Sequence, residues 1–230
     1  MKNKYNFSAR AAVLALTLTA VFALSATAIA QAPPGSLWYN GDFNGVGYHA
    51  NGVNTSDPPS QVFDDFFVTG GGWHLTAVFS DNLLSTVVTG AEWEIRSGVS
   101  SGNDGTLVAA GSTNAPTVAA TGRSGFGFTE FMVEVTGINV TLAPGTYWLN
   151  VTPVGNGTGH SLNSMTSGTN CVGMPCGNDG NSWWRPDGPY PQPYDFSMDV
   201  IGPIPEPATV ALLTCGVGVL LMAVRRRRSA

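Results

Sequence analysis

Between residues 37 and 200 the chain runs in short segments where apolar and polar side chains alternate. No segment there sustains the 3.6-residue apolar period of an amphipathic helix. Alternation with a period of two specifies strands that bury one face. Residues 73–79 set Trp73, Leu75, Ala77 and Phe79 on one side, and residues 91–96 turn Trp93 and Ile95 inward and Glu92, Glu94 and Arg96 outward. Residues 131–135 behave similarly. Residues 147–151 follow the Pro144-Gly145 turn, burying Tyr147, Leu149 and Val151 and leaving Trp148 on the polar face. Residues 196–200 close the body, and 37–40, 61–68, 106–110 and 138–142 are further candidates.

These nine or so expected strands are separated by clusters of Gly, Asn, Asp, Pro and Ser, the residues of tight turns. Half-buried alternation implies antiparallel sheets with one wet face. Two such sheets packed face to face bury their inner sides. The expected fold is all-β: an antiparallel β-sandwich, jelly-roll-like, over residues 31–202, with an open barrel as the alternative. Aromatic residues make up 10% of the chain, enough core-forming surface to argue against disorder.

The two ends are of a different kind. Residues 1–30 have the plan of a signal peptide. Lys2, Lys4 and Arg10 precede an uncharged apolar run from Ala11 to Leu24, and Ala28 and Ala30 offer small residues to signal peptidase, with cleavage before Gln31. At the other end, residues 203–230 begin with the proline-stiffened Pro203-Ile204-Pro205-Glu206-Pro207. An uncharged stretch over 208–224 follows, at the lower limit for a transmembrane helix. Arg225, Arg226, Arg227 and Arg228 come next and, by the positive-inside rule, stay in the cytoplasm. The sandwich is thus expected between an N-terminal signal helix and a C-terminal transmembrane helix, both placing the body outside. Cys215 falls within the span as a small apolar residue.

This tripartite tail resembles the PEP-CTERM sorting signal, with Pro205-Glu206-Pro207 as its motif, then the span, then the arginine cluster. The resemblance implies that the chain is an exosortase substrate, anchored transiently in the inner membrane of a Gram-negative bacterium. It implies delivery to the outer surface or extracellular matrix, in a setting of exopolysaccharide and biofilm. Residues 205–207 are then a recognition element. The body also looks like a recurrent PEP-CTERM ectodomain type through Val62-Phe63-Asp64-Asp65-Phe66, Trp93-Glu94-Ile95-Arg96-Ser97-Gly98 and Leu142-Ala143-Pro144-Gly145-Thr146-Tyr147-Trp148. That resemblance implies a fold and no defined activity.

Charge is uneven. From residue 31 to residue 204 there are ten Asp and four Glu against Arg96, Arg123 and Arg185. A body this acidic is repelled by nucleic acid and by anionic membrane surfaces. It suits solubility and, more pointedly, divalent cations. Cys171 and Cys176 are the body's only cysteines, and in an exported protein they are expected to pair as a disulfide.

No catalytic motif occurs. His49, His74 and His160 are far apart in sequence, and there is no Gly-x-Ser-x-Gly elbow, His-Glu-x-x-His pair or phosphate loop. Glu92 with Glu94, and Glu130 with Glu134, lie on faces expected to be solvated. The expectation is a non-enzymatic surface protein that needs no cofactor beyond a structural calcium. The alternatives are a calcium-stabilised carbohydrate-binding module and, third, a secreted hydrolase. Asp64 and Asp65 interrupt an aromatic strand, so one must point toward the core, and a buried carboxylate needs a partner such as calcium. The turns Asp42-Phe43-Asn44-Gly45, Asn103-Asp104-Gly105 and Asn178-Asp179-Gly180-Asn181 read first as hairpin chemistry. Trp183, Trp184, Tyr190 and Tyr194 are the candidate platform for extracellular polysaccharide, because sugars stack on exposed flat rings beside polar groups. The other reading has these rings covering the open ends of the sandwich.

Overall fold

A computed structural model describes residues 32–203. The signal segment with Ala28, Ala30 and Gln31, and the tail carrying Pro205, Glu206, Pro207 and Arg225 to Arg228, lie outside the described residues. The described part has no helix and forms two antiparallel sheets packed as a sandwich. Among these residues, no helix is long and apolar enough to cross a membrane.

Thirteen strands follow in chain order: β1 (Ser36–Tyr39), β2 (Phe43–Ala50), β3 (Gln61–Val68), β4 (Trp73–Leu84), β5 (Gly90–Ser97), β6 (Thr106–Thr113), β7 (Thr117–Gly125), β8 (Phe128–Leu142), β9 (Gly145–Val154), β10 (Ser161–Thr166), β11 (Ser182–Arg185), β12 (Tyr190–Gln192) and β13 (Met198–Ile201). In the first sheet β7 pairs β8, and β8 pairs β4. The other edge of β4 meets β13 and then β10, which lead out to β1 and β2. The second sheet runs β12-β11-β3-β9-β5-β6. The chain passes repeatedly between the sheets, so their inner faces share one core. Trp38, Phe66, Leu75, Ile95, Leu149 and Phe196 are among its largest fully buried members. Each contributes about 1.5–3 kcal/mol by leaving water.

All nine expected strands are present, but two of them are one. Residues 131–135 and 138–142 belong to the single long β8. The β4–β8 register shifts between Leu75 and Ala77, opposite a segment where Gly137 takes φ +73°. Beyond that irregularity both strands change which parity faces inward. Trp73 and Leu75 share the core with Val78 and Leu84 on β4, and Val133 and Val135 share it with Leu142 on β8. Phe79 therefore leaves the face expected for it and packs against Tyr39 instead, with ring centroids 5.9 Å apart. Strand bulges of this kind re-aim side chains without ending the pairing.

Trp148 also departs from expectation. It is buried in a second small cluster with Phe63 and Val99, against which Trp183 packs. The outer face of the second sheet is wet only in part, because the chain after Asn170 returns beside β3, where Met174 O accepts from Phe67 N at 2.8 Å and Asn181 O from Trp148 Nε1 at 3.0 Å. A Cys171–Cys176 disulfide closes a short loop in that returning chain. By loop-closure entropy such a link contributes about 2 kcal/mol.

Candidate functional site

Buried carboxylates gather at each sheet, and the two groups are balanced differently.

On the first sheet the change of parity turns Asp81 of β4 and Glu130 of β8 away from the core. Both are nevertheless buried. Arg123, reaching in from β7, pairs with three carboxylates at once. Its Nη1 donates to Asp42 at 2.9 Å, its Nη2 to Asp81 at 2.9 Å, and its Nε to Glu130. Tyr39 Oη and Asn170 Nδ2 also donate to Asp42, at 2.7 and 2.8 Å. Ser197 Oγ donates to Asp81 at 2.8 Å and Thr121 Oγ1 to Glu130 at 2.6 Å. Burial, reinforced by Glu130, pushes the Asp81 carboxyl up to about 7 against the pull of Arg123. Burial works against the Arg123 charge as well, but Asp81 and Glu130 outweigh it and raise its pKa. This is a tie between strands: each of the three guanidinium nitrogens serves one carboxylate, and the hydroxyls of Tyr39, Thr121 and Ser197 are bonded to the same three acids. The expectation that Glu130 lies on a solvated face does not hold, since β7 and the β1–β2 turn cover that face. Its burial left no mark in the sequence, because Asp42 and Asp81 meet Arg123 across 81 and 42 residues.

On the second sheet Asp64 and Asp65 point to opposite faces of β3, and both are fully buried. Asp64 lies on the side of Val62 and Phe66. Its Oδ2 accepts from Asn40 Nδ2 at 2.8 Å and from Phe196 N at 2.6 Å. Burial and the Asp195 charge hold its pKa well above the carboxylate range. Asp65 lies on the outer side with Phe63, directly across from Trp148. Neither of its carboxylate oxygens has a hydrogen-bond partner. Burial and the Asp179 charge push it up to about 7. Asp195 sits close by. Its Oδ2 accepts from Asp179 N and from Gly180 N at 3.1 Å, and its Oδ1 has no partner. Among the described residues, no three His, Cys, Asp or Glu side chains converge as a ready metal site.

The aromatic loop is covered rather than displayed. Trp183 and Trp184 face opposite sides of β11, and each is half-buried. Trp183 packs on Phe63 and Trp148, while Trp184 packs on the main core and donates from Nε1 to Ala50 O at 3.1 Å. Tyr194 is half-buried beside His49, and Tyr190 alone of the four is exposed, at 50%. The rings form no open coplanar platform. Next to them, an open cleft of about 340 Å³ is lined by Gln61, Asp104, Arg185 and Asp187 among others. Arg185 lies 3.4 Å from Asp104 there, and its guanidinium lies 4.8 Å over the Phe63 ring.

The histidines do not assemble a catalytic group. His160 Nδ1 lies 2.9 Å from Asp57, His74 lies beside Thr141, and His49 packs on Trp184. The chain matches no family model, no curated protein and no solved structure.

Proposed function

We propose that this chain is an exported, non-enzymatic protein of the cell surface or extracellular matrix, sorted through its C-terminal tail and associated with exopolysaccharide or biofilm. The observation that carries this reading is the order Pro205-Glu206-Pro207, uncharged span, Arg225 to Arg228, set opposite an N-terminal segment with the plan of a signal peptide. Signal peptidase and an exosortase are its processing partners, and the inner membrane holds it only in passing.

Two features of the body support the reading. A disulfide suits an oxidising compartment. The Trp183 and Trp184 rings are folded onto the sandwich, which favours a structural part for them over a carbohydrate platform. We read the repeated passage between sheets as jelly-roll-like connectivity, a fold that suits a passive surface module.

The test is to replace Glu206 by Ala and, separately, all four arginines by Ala. Both variants are expected to be exported yet retained in the membrane fraction. Wild-type release of both to the surface contradicts the sorting assignment.

A further inference from the structure

Cations are scarce in this body. Its three arginines are committed elsewhere: Arg123 to Asp42, Asp81 and Glu130, Arg96 to Glu94, and Arg185 to Glu94 and Asp104. Among the described residues, none of the ion pairs reaches Asp64, Asp65, Asp179 or Asp195, although these four act electrostatically on one another. One buried acidic group thus has a built-in counter-charge and the other has none.

Asp65 is the sharpest member of the second group. It is fully buried, with both oxygens unpartnered, on a face shared with Phe63 and Trp148. An ionised carboxylate left so is among the costliest things a fold can contain. The loop 178–181 lies beside it. Trp148, the cross-strand neighbour of Asp65, donates from Nε1 to Asn181 O at 3.0 Å. Asp195 holds the same loop through Asp179 N and Gly180 N, and Asn178 Nδ2 donates to Pro193 O at 3.1 Å. The charges of Asp179 and Asp195 and the side chain of Asn181 all act on the Asp65 carboxylate. Asp179 itself is exposed, so the group opens to solvent on that side.

We propose that Asp65 and the loop 178–181 form a calcium site, with Asp65 and Asp179 as its carboxylate ligands and Asn181 and Asp195 beside them. The donors are hard oxygens with no imidazole or free thiol among them, which selects calcium or magnesium over zinc. No three carboxylates converge, so amide, carbonyl and water oxygens fill the remaining positions. Calcium accepts such an irregular set of 6–8 oxygens, whereas magnesium demands a near-ideal octahedron. With two carboxylate ligands the expected affinity is that of extracellular calcium modules, a Kd of about 10⁻⁴–10⁻³ M. The ion ties β3 to the loop 178–181 beside it.

The test uses the full chain, purified oxidised in detergent and stripped with chelator. Calcium is titrated at constant near-neutral pH by calorimetry, and thermal unfolding is followed in parallel. Saturable one-site binding is expected, with a Tm increase of roughly 5–10 °C at about a hundredfold excess over Kd. Asp179→Asn, an exposed substitution that leaves the packing intact, should weaken binding by about tenfold or more, and Asp65→Asn should abolish it. Should Asp65→Asn fail to fold, Asp179→Asn decides. No saturable heat and an unchanged Tm in the wild type overturn the site. Wild-type calcium affinity in Asp179→Asn overturns the ligand assignment, and an equal response to magnesium overturns the choice of ion.

Discussion

Replacing Arg123 with Met lowers the stability of the sandwich by about 3–5 kcal/mol at neutral pH, because it strands buried carboxylates without their counter-charge. Glu130 is fully buried and Asp81 is 2% exposed, so water cannot take over the guanidinium's role. Each of three guanidinium nitrogens serves a different carboxylate, from three separate parts of the chain. In a domain of this size the loss corresponds to a fall in Tm of roughly 6–20 °C. Arg123→Lys should recover only part of it, since an ammonium is a point charge without the planar fork. Adding Glu130→Gln to Arg123→Met should recover some of the loss by removing one stranded charge, giving a non-additive cycle. A loss below about 1 kcal/mol would show that the cluster is solvated and that the tie between β7, β4 and the β1–β2 turn is weak.

The same cluster sets a pH dependence. Asp81 titrates near 7 in the folded protein and near 3.9 when unfolded. Burial holds Asp199 well above its ordinary range, despite the hydrogen bond from Ser36. Arg123, Glu130, Asp42 and Tyr39 face Asp81, while Asp81 and Glu134 act on Asp199. Between about pH 4 and pH 7 the folded state keeps protons that the unfolded state has released, so stability falls as pH rises. The Tm measured in chelator should therefore decline from about pH 4 to about pH 7, a window set by the Asp81 values. Asp81→Asn should flatten part of that decline. A Tm that climbs over this window would mean that the two carboxyls are ionised and well solvated in the folded chain.

How much of this was legible beforehand depended on whether burial is one-sided. Strands with one wet face, such as β5 and β9, announce themselves by alternation. β10 is buried throughout yet built of Ser, Asn, Thr, Leu and Met, so it shows no contrast between faces. β7 is largely exposed, and its Thr, Ala and Gly residues give no apolar stripe. β11 and β12 are short, and β12 contains proline. Asp42-Phe43-Asn44-Gly45 reads as hairpin chemistry, yet Phe43 already begins β2. The change of parity beside Gly137 made one long strand look like two.

The sites divide in the same way. Asp64 and Asp65 stood out because two adjacent acids in an aromatic strand must face opposite sides, one toward the core; that the other is buried as well was not legible. Cys171 and Cys176 were readable by elimination. The Arg123 cluster was not, since its members are joined only by the pairing of distant strands. Asp179 read as turn chemistry alone. Its second part depends on Asp65 lying beside the loop, which only the β3–β9 register and the Trp148 contact reveal.

The most direct measurement is the intact mass of the protein recovered from the outside of its own cells, with and without reduction. The expected chain starts at Gln31, lacks the Arg225 to Arg228 cluster, and gains mass on reduction because Cys171 and Cys176 are joined. A chain found in the cytosol, starting at Met1 with both thiols free, would contradict it.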